Sequence, residues 1–210
     1  MNFKLIFICL IVMLKVFALP EPYASIVPLA ADYHGGVHPT NQAYLSNFIK
    51  KLNPTTVIEV GTWLGVTAFL IAKQLGKQSK LYVVDPWEDY EEMHAFPEYQ
   101  KRMPTSYWQF LSNCIHMKLT HKIIPIKMKS IQASKALNIN ADLIFIDACH
   151  TEEDVYQDIM AWYPKVKKGG ICCGDDWWWP SVKKGVARAI AELKLEVYSE
   201  DNFWYFEPKK

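Results

Sequence analysis

Hydrophobic and polar positions along this chain follow two alternating periods. Tyr44, Leu45, Phe48, Ile49 and Leu52 recur at helical spacing, with Thr40 placed to cap the start and Asn53-Pro54 to stop it. Thr56-Val57-Ile58-Glu59-Val60 then runs as a short β-branched stretch into Gly61, the pattern of a buried strand. The two signatures continue in turn. Residues 64–75 predict a helix closed by Gly76, and 80–84 a strand ending at Asp85-Pro86. Residues 107–117 predict a helix, 123–126 a strand whose Pro125 calls for a sheet edge, and 131–137 a short helix. The most continuous apolar strand, 142–146, ends at Asp147, and Thr151 is placed to cap a helix over 152–162. Gly169-Gly170 turn the chain into a strand at 171–173, and 182–193 predict the last helix. Residues 195–198 and 203–206 pair across Ser199-Glu200-Asp201-Asn202 as a terminal hairpin.

Strands that alternate with helices build a parallel sheet covered on both faces. The expected fold class is therefore α/β: a Rossmann-like, doubly wound, mostly parallel seven-stranded sheet with a C-terminal antiparallel hairpin. Residues 86–105 interrupt the alternation. They are dense in aromatics, acids and prolines (Trp87, Pro97, Pro104), which predicts an inserted loop or broken helix.

The N-terminus follows neither period. Lys4 precedes an apolar run over 5–14, Lys15 interrupts it, and Val16-Phe17-Ala18 offers a small residue for cleavage. Residues 1–19 read as a signal peptide or short N-terminal anchor, too short for a spanning helix of about 20 apolar residues. Membrane association through residues 5–19 is the matching expectation. Residues 20–39 form an extended, proline-containing lead, and 40–210 the folded domain.

Composition changes this picture little. Half of the 210 residues are hydrophobic and 21% charged, which suits one globular domain. A net charge of +1 without a basic stripe gives no reason to expect nucleic acid as a partner; Lys165, Lys167, Lys168, Lys183 and Lys184 flank helix ends and turns. Beyond the leader, Cys114, Cys149, Cys172 and Cys173 show no zinc spacing and read as small buried hydrophobes. Neighbours on a strand point to opposite faces, so Cys172 and Cys173 are not expected to pair.

The candidate chemistry begins at Glu59-Val60-Gly61-Thr62-Trp63-Leu64-Gly65. Glycines between a strand and a helix let the backbone turn tightly beside a ligand, and the helix N-terminus favours an anionic group there. Asp85, 24 residues after Gly61 and at the tip of the next strand, can accept from both hydroxyls of a ribose. Trp63 stands where a dinucleotide's pyrophosphate would approach the backbone, which counts against a nicotinamide cofactor. Tyr163 and Lys167 have the spacing of a short-chain dehydrogenase pair, but Pro164 argues against the helix that would join them.

Residues 57–65 resemble motif I of class I S-adenosylmethionine-dependent methyltransferases, and Tyr82-Val83-Val84-Asp85 resembles their motif II. Phe145-Ile146-Asp147-Ala148-Cys149-His150 resembles a motif IV of the form F-I-D-x-x-H. The Gly169–Asp176 stretch with Gly185-Val186-Ala187-Arg188-Ala189 is similar to the next strand and helix. The resemblance runs from about residue 40 to 207. It points to the family 24 type, similar to macrocin-type sugar and catechol-type O-methyltransferases. It implies an enzyme that binds S-adenosylmethionine through Gly61, Thr62, Trp63 and Gly65, braced by Glu59, with Asp85 on the ribose and Asp147 beside the cofactor. Ser130 falls where relatives contact the adenine, and equally where a helix N-cap would stand.

Asp147 and Asp175-Asp176 end consecutive strands, so their carboxylates converge on one crevice and repel unless a cation joins them. Mg²⁺, or another divalent cation, is the expected partner, and metal-dependent O-methyltransferases place acids at the same strand ends. The Asp-Asp pair departs from many relatives, which carry one acid beside His or Asn. His150 is the candidate base for an acceptor hydroxyl, acting as a neutral imidazole with Asp147. Trp177, Trp178 and Trp179, with Trp87 and Trp108, offer aromatic planes for a sugar or aromatic acceptor, though three in a row cannot all face inward. The expected partner is thus a small-molecule acceptor. A homo-oligomer is compatible with the sequence. The alternatives are a non-catalytic exported protein of the same fold and, less favoured, a nicotinamide oxidoreductase. The leader points to export or anchoring and the cofactor to a cytoplasmic face.

Overall fold

A computed structural model describes residues 18–207 of the chain. The expected leader therefore lies, but for its last two residues, outside the described residues. Five parallel strands come first: β1 (Thr56–Val60), β2 (Lys80–Asp85), β3 (Ile123–Lys127), β4 (Ala141–Ile146) and β5 (Val166–Gly174). Two short antiparallel ones, β6 (Tyr198–Glu200) and β7 (Phe203–Phe206), complete a seven-stranded sheet in the order β3-β2-β1-β4-β5-β7-β6. The helices are α1 (Pro39–Leu52), α2 (Val66–Gln74), α3 (Pro97–Arg102), α4 (Ser106–His116), α5 (Ser130–Ala136), α6 (Glu152–Trp162) and α7 (Pro180–Leu193). The doubly wound, mostly parallel sheet with its closing hairpin is the fold that the periodicity predicts.

Side-chain alternation divides the strands between two cores. Val57, Leu81, Val83, Leu143, Phe145 and Cys173 pack with Leu45 and Phe48 of α1, Phe69 of α2 and Phe110 of α4 on one face. Ile58, Val60, Ile144, Ile146, Cys172 and Trp204 pack with Ile159 and Trp162 of α6 and Val182 and Val186 of α7 on the other. A sheet buried on both sides needs apolar residues at every position, which is why the strands read as unbroken apolar runs. Cys172 and Cys173 fall on opposite faces as expected, and all four described cysteines are free. Pro125 sits in β3 at the edge of the sheet, where a missing N–H costs no ladder bond.

Local boundaries differ where tertiary contacts intervene. The cap of α1 is His38, whose Nδ1 accepts from the Thr40 N–H, and Pro39 takes the first helical position. Gly65 precedes α2 in a left-handed conformation, so that helix starts at Val66. Ser130 is the first residue of α5 rather than its cap: Lys129 holds the cap position without a side-chain bond. Gly169-Gly170 do not precede the strand but lie inside it. The pairing shifts from Ala141–Val166 to Leu143–Ile171, and Gly169 takes a φ of 77° within the resulting bulge. The hairpin turns over two residues, with Asp201 left-handed, so β6 begins at Tyr198 while Leu195 and Val197 pack into the α6–α7 core. Thr151 caps α6 as expected, accepting from the Asp154 N–H. Tyr163 sits in a short 3-10 turn, and Lys167 lies in β5 with its ammonium on Asp142, so the dehydrogenase-like spacing is not carried on one helix.

The lead at 20–39 is extended but integral to the domain. Tyr23 is buried and its hydroxyl donates to the Ile123 carbonyl at 3.0 Å. Asn113 of α4 donates to the Asp32 carbonyl, and Asp32 pairs with Arg102 at 2.8 Å. The inserted 86–105 segment is a broken helix, as expected: 3-10 turns at Glu91–Ala95 and Met103–Thr105 flank α3. Among the described residues no helix is long and apolar enough to cross a membrane.

Candidate functional site

Strand order reverses between β1 and β4, and in a doubly wound sheet ligands lie beyond the carboxyl ends at that point. A cavity of about 830 Å³ opens there. The glycine loop after β1 forms its floor. Gly61 takes a φ of 81°, Trp63 50° and Gly65 96°. At Gly61 the reason is also steric, because a Cβ there would stand 1.9 Å from the Asp147 carbonyl oxygen. The loop and the end of β4 thus touch backbone to backbone, held by the Asp147 N–H on the Val60 carbonyl at 2.8 Å.

Asp85 organises the loop from the side. Its Oδ2 accepts from the N–H groups of Thr62 (3.0 Å) and Trp63 (2.9 Å), and its Oδ1 from that of Trp87 (2.6 Å). Burial raises its pKa and these three bonds oppose the rise. Glu59 is fully buried on the cavity wall; one oxygen accepts from the Thr62 hydroxyl and the other, Oε1, has no hydrogen-bond partner. Burial pushes its carboxyl up to about 8 although the Thr62 bond pulls it down. An orphaned, fully buried oxygen on a cavity wall is a group awaiting a donor.

Ser130 also lines the cavity. Its hydroxyl donates to Asp158 and accepts from the Trp162 indole N–H at 2.8 Å. Trp63 packs its ring on Tyr99, with centroids 4.9 Å apart, and donates its indole N–H to His34 at 3.3 Å. The glycine loop therefore meets both the lead and the insertion.

At the far end stand the acids. Asp147, His150 and Asp176 each offer one ligand atom, and these atoms lie within 4.8 Å of one another. Two carboxylates and an imidazole form a donor set that suits a divalent cation. Asp175 lines the same cavity, and its Oδ1 accepts from the Asn202 amide and from the Asp176 N–H at 2.6 Å. His150 joins Asp147 and Asp176 in the cluster. Burial and the charges of Asp175 and Asp176 hold the Asp147 carboxyl well above the usual carboxylate range.

His150 is held between two carboxylates. Its Nδ1 is bonded to Glu92 of the insertion, and its Nε2 lies 2.6 Å from Asp176 Oδ2. Burial lowers its pKa, but the Asp176 and Glu92 carboxylates outweigh burial and raise it to about 9. Glu92 also accepts from the His150 N–H at 3.1 Å and the Cys149 thiol. Sequence reasoning missed it because 58 residues separate it from His150 and no motif spans that gap. It also missed Asn202, which braces the acids from the hairpin.

The tryptophans divide. Trp177 is half-buried against the α6–α7 core, Trp178 is exposed, and Trp179 stacks on His150 at 4.9 Å and lines the cavity. Trp87 lines the cavity with its indole packed against Tyr107 and Phe110, whereas the half-exposed Trp108 is not on the lining.

Comparison with known proteins places this geometry. Residues 58–177 match a family model described as a methyltransferase domain. An uncharacterised protein of Acanthamoeba polyphaga mimivirus is 28% identical over 166 residues, covering 76% of this chain and 69% of that protein. The fold is similar to that of a candidate O-methyltransferase of Klebsiella pneumoniae, with a TM-score of 0.67 and 15% identity over 86% of this chain and 84% of the other. It is similar also to the Streptomyces achromogenes O-methyltransferase TomG, involved in tomaymycin synthesis and solved with S-adenosylmethionine. There the TM-score is 0.62 and the identity 14%, over 83% of this chain and 82% of that one. A Bacillus cereus O-methyltransferase in complex with S-adenosylhomocysteine gives a TM-score of 0.59 and 16% identity, over 89% and 87%.

Proposed function

The chain belongs to this family of methyltransferase domains, being of the class I S-adenosylmethionine-dependent kind, and we propose that it methylates a hydroxyl group of a small molecule with the help of a divalent cation. The observation that carries the reading is the shared cavity: the glycine loop with Glu59 and Asp85 lines one part of it, and Asp147, His150 and Asp176 line another.

The cofactor fits the near part. S-adenosylmethionine carries an ammonium that can donate to the orphaned Glu59 Oε1, and ribose hydroxyls that can reach the lone pairs Asp85 has left. Gly61, Thr62, Trp63 and Gly65 form the loop beneath it, and Ser130 and Asp147 stand on the same lining. O-methyl transfer to a small molecule is supported by TomG and the Bacillus cereus enzyme, whose descriptions name O-methyltransferases.

Methyl transfer is an in-line displacement at the sulfonium carbon, so the protein mainly aligns the two reactants and excludes water. Asp147, half-buried at the end of β4 against the glycine loop, is placed to take the hydroxyl proton. His150, fixed between Glu92 and Asp176, keeps the cluster's negative charges apart and holds its ring under Trp179. Asp147 and Asp176 would hold the cation, with His150 as a third ligand once the cation displaces its ring proton, and the bound cation would lower the pKa of the acceptor hydroxyl. Asp175 supports Asp176 from behind.

The reading is tested by calorimetry. The protein should bind S-adenosylmethionine, and Asp85→Ala, which strips three N–H groups of their acceptor, should weaken it at least about tenfold, the equivalent of one charge-assisted hydrogen bond. Absence of binding by the unaltered protein would overturn the assignment.

A further inference from the structure

Lysines that lie apart in the sequence are gathered by the fold at the end of the sheet away from the cavity. Strands β1 to β5 are parallel, so their N-terminal ends share one edge, and the helices between them finish there. Hydrogen bonds fix the grouping. The Lys80 N–H donates to the Thr55 carbonyl at 2.9 Å and its ammonium to the His121 carbonyl at 2.6 Å. The Lys122 ammonium donates to the Ala72 and Leu75 carbonyls at 3.0 and 2.6 Å, so the starts of β2 and β3 meet the C-terminal end of α2. Lys73 in the last turn of α2, Lys77 in the turn after it and Lys118 in the turn after α4 stand around this junction, all exposed.

These three charges lack counterparts. Among the described residues the ion pairs at this end are Lys51–Glu207 and Lys167–Asp142, and neither involves Lys73, Lys77 or Lys118. The α2 dipole does not require Lys73 and Lys77, because the buried Lys122 already serves its last carbonyls. The opposite end has the reverse sign: Glu152, Glu153 and Asp154 open α6 beside Asp147, Asp175 and Asp176. A net charge of +1 therefore conceals one basic and one acidic end.

The lead brings apolar side chains to the basic end. His116, in the last turn of α4, is bonded to the Leu29 carbonyl at 2.7 Å, and the Tyr23 hydroxyl reaches Ile123 at the start of β3. Residues 18–27 thus lie at this end, where Val27 is 89% exposed and Leu19 39%. In the sequence they follow the apolar run over 5–14. Unpaired ammonium groups on long alkyl stems, beside exposed aliphatic side chains, match a bilayer interface, where the charges meet headgroup phosphates and the stems lie against the acyl boundary. A nucleic-acid duplex would engage the charges alone.

We propose that the sheet end carrying Lys73, Lys77 and Lys118 docks on the anionic headgroups of a lipid bilayer, with Val27 and Leu19 entering the interface. The acidic end is repelled by the same surface, so the cavity opens away from the bilayer and into water.

The test is sedimentation of the full chain with vesicles of phosphatidylcholine alone and of equal parts phosphatidylcholine and phosphatidylserine. The anionic vesicles should bind at least about tenfold more tightly, and the difference should vanish near 1 M salt, where the screening length falls to about 3 Å. Lys73→Gln/Lys77→Gln/Lys118→Gln should lose at least about tenfold in affinity for the anionic vesicles. A matched removal of three exposed charges from the cavity end, Lys101→Gln/Lys183→Gln/Lys184→Gln, should lose less than about threefold. Thermal melts establish that both triple variants fold. Equal binding to the two kinds of vesicle, or equal losses from the two triple variants, would overturn the proposal. Tighter binding to a DNA duplex with the same dependence on Lys73, Lys77 and Lys118 would assign the face to nucleic acid and overturn it as well.

Discussion

Gly61 and Gly169 make a matched pair for testing the close approach at the base of the cavity. Both take a positive φ, 81° and 77°, so alanine at either position carries the left-handed strain of about 1–2 kcal/mol. Their surroundings differ. Nothing lies within 4 Å of a Cβ at Gly169, whereas a Cβ at Gly61 would meet the Asp147 carbonyl oxygen at 1.9 Å and the Ala148 Cα at 2.7 Å. Both are backbone atoms at the end of β4 and cannot rotate away. Gly61→Ala must separate β1 from β4, adding an overpacking cost of about 1–3 kcal/mol to the strain. The expected loss is about 2–5 kcal/mol for Gly61→Ala against about 1–2 for Gly169→Ala. At this chain length each kcal/mol moves the melting temperature by roughly 2–4 °C. Urea unfolding of both variants, followed by S-adenosylmethionine calorimetry on the folded fraction, reads the difference. Gly61→Ala should also lose cofactor affinity, because the displaced loop carries the amides that Asp85 holds. Equal destabilisation by the two substitutions would refute the reasoning, since it would leave strain as the only term.

Three further outcomes are expected. Burial, with Asp154 adding, raises the Asp158 carboxyl from 3.8 to about 7; its stabilising contribution is complete below about pH 4 and is lost as pH rises through 7. The shift corresponds to about 4 kcal/mol, and Asp158→Asn should flatten the stability–pH curve between pH 4 and 7 in urea melts; an unchanged slope would show the carboxyl to be ionised. Tyr23→Phe leaves the Ile123 carbonyl without its buried donor and should cost about 1–2 kcal/mol; a change below about 0.5 kcal/mol would mean the lead is not anchored there. Chelation should abolish methyl transfer and added Mg²⁺ restore it, with Asp147→Asn and Asp176→Asn resisting restoration; full activity in chelator would remove the cation from the reaction.

Much of this molecule was legible from local pattern. Alternating periods specify the strands and helices, because burial on both faces of a parallel sheet forces apolar residues into unbroken runs. Gly61, Gly65 and Asp85 could be read as a cofactor loop because only certain residues tolerate its turns and its spacing is local. The edge proline and the opposed cysteines followed from strand geometry alone.

Contacts between distant segments were not legible. Nothing in the sequence says that Glu92 reaches His150 across 58 residues and, with Asp176, raises its pKa against burial. Nor does it say that Asn202 of the hairpin holds Asp175, or that His34 of the extended lead lines the cavity. Periodicity reports which face of an element is buried, and it is silent on which polar side chains meet where elements cross. The residues that build the cofactor loop were determined locally. The charge environment of the chemical end depends on the packing of the lead, the insertion and the hairpin around it.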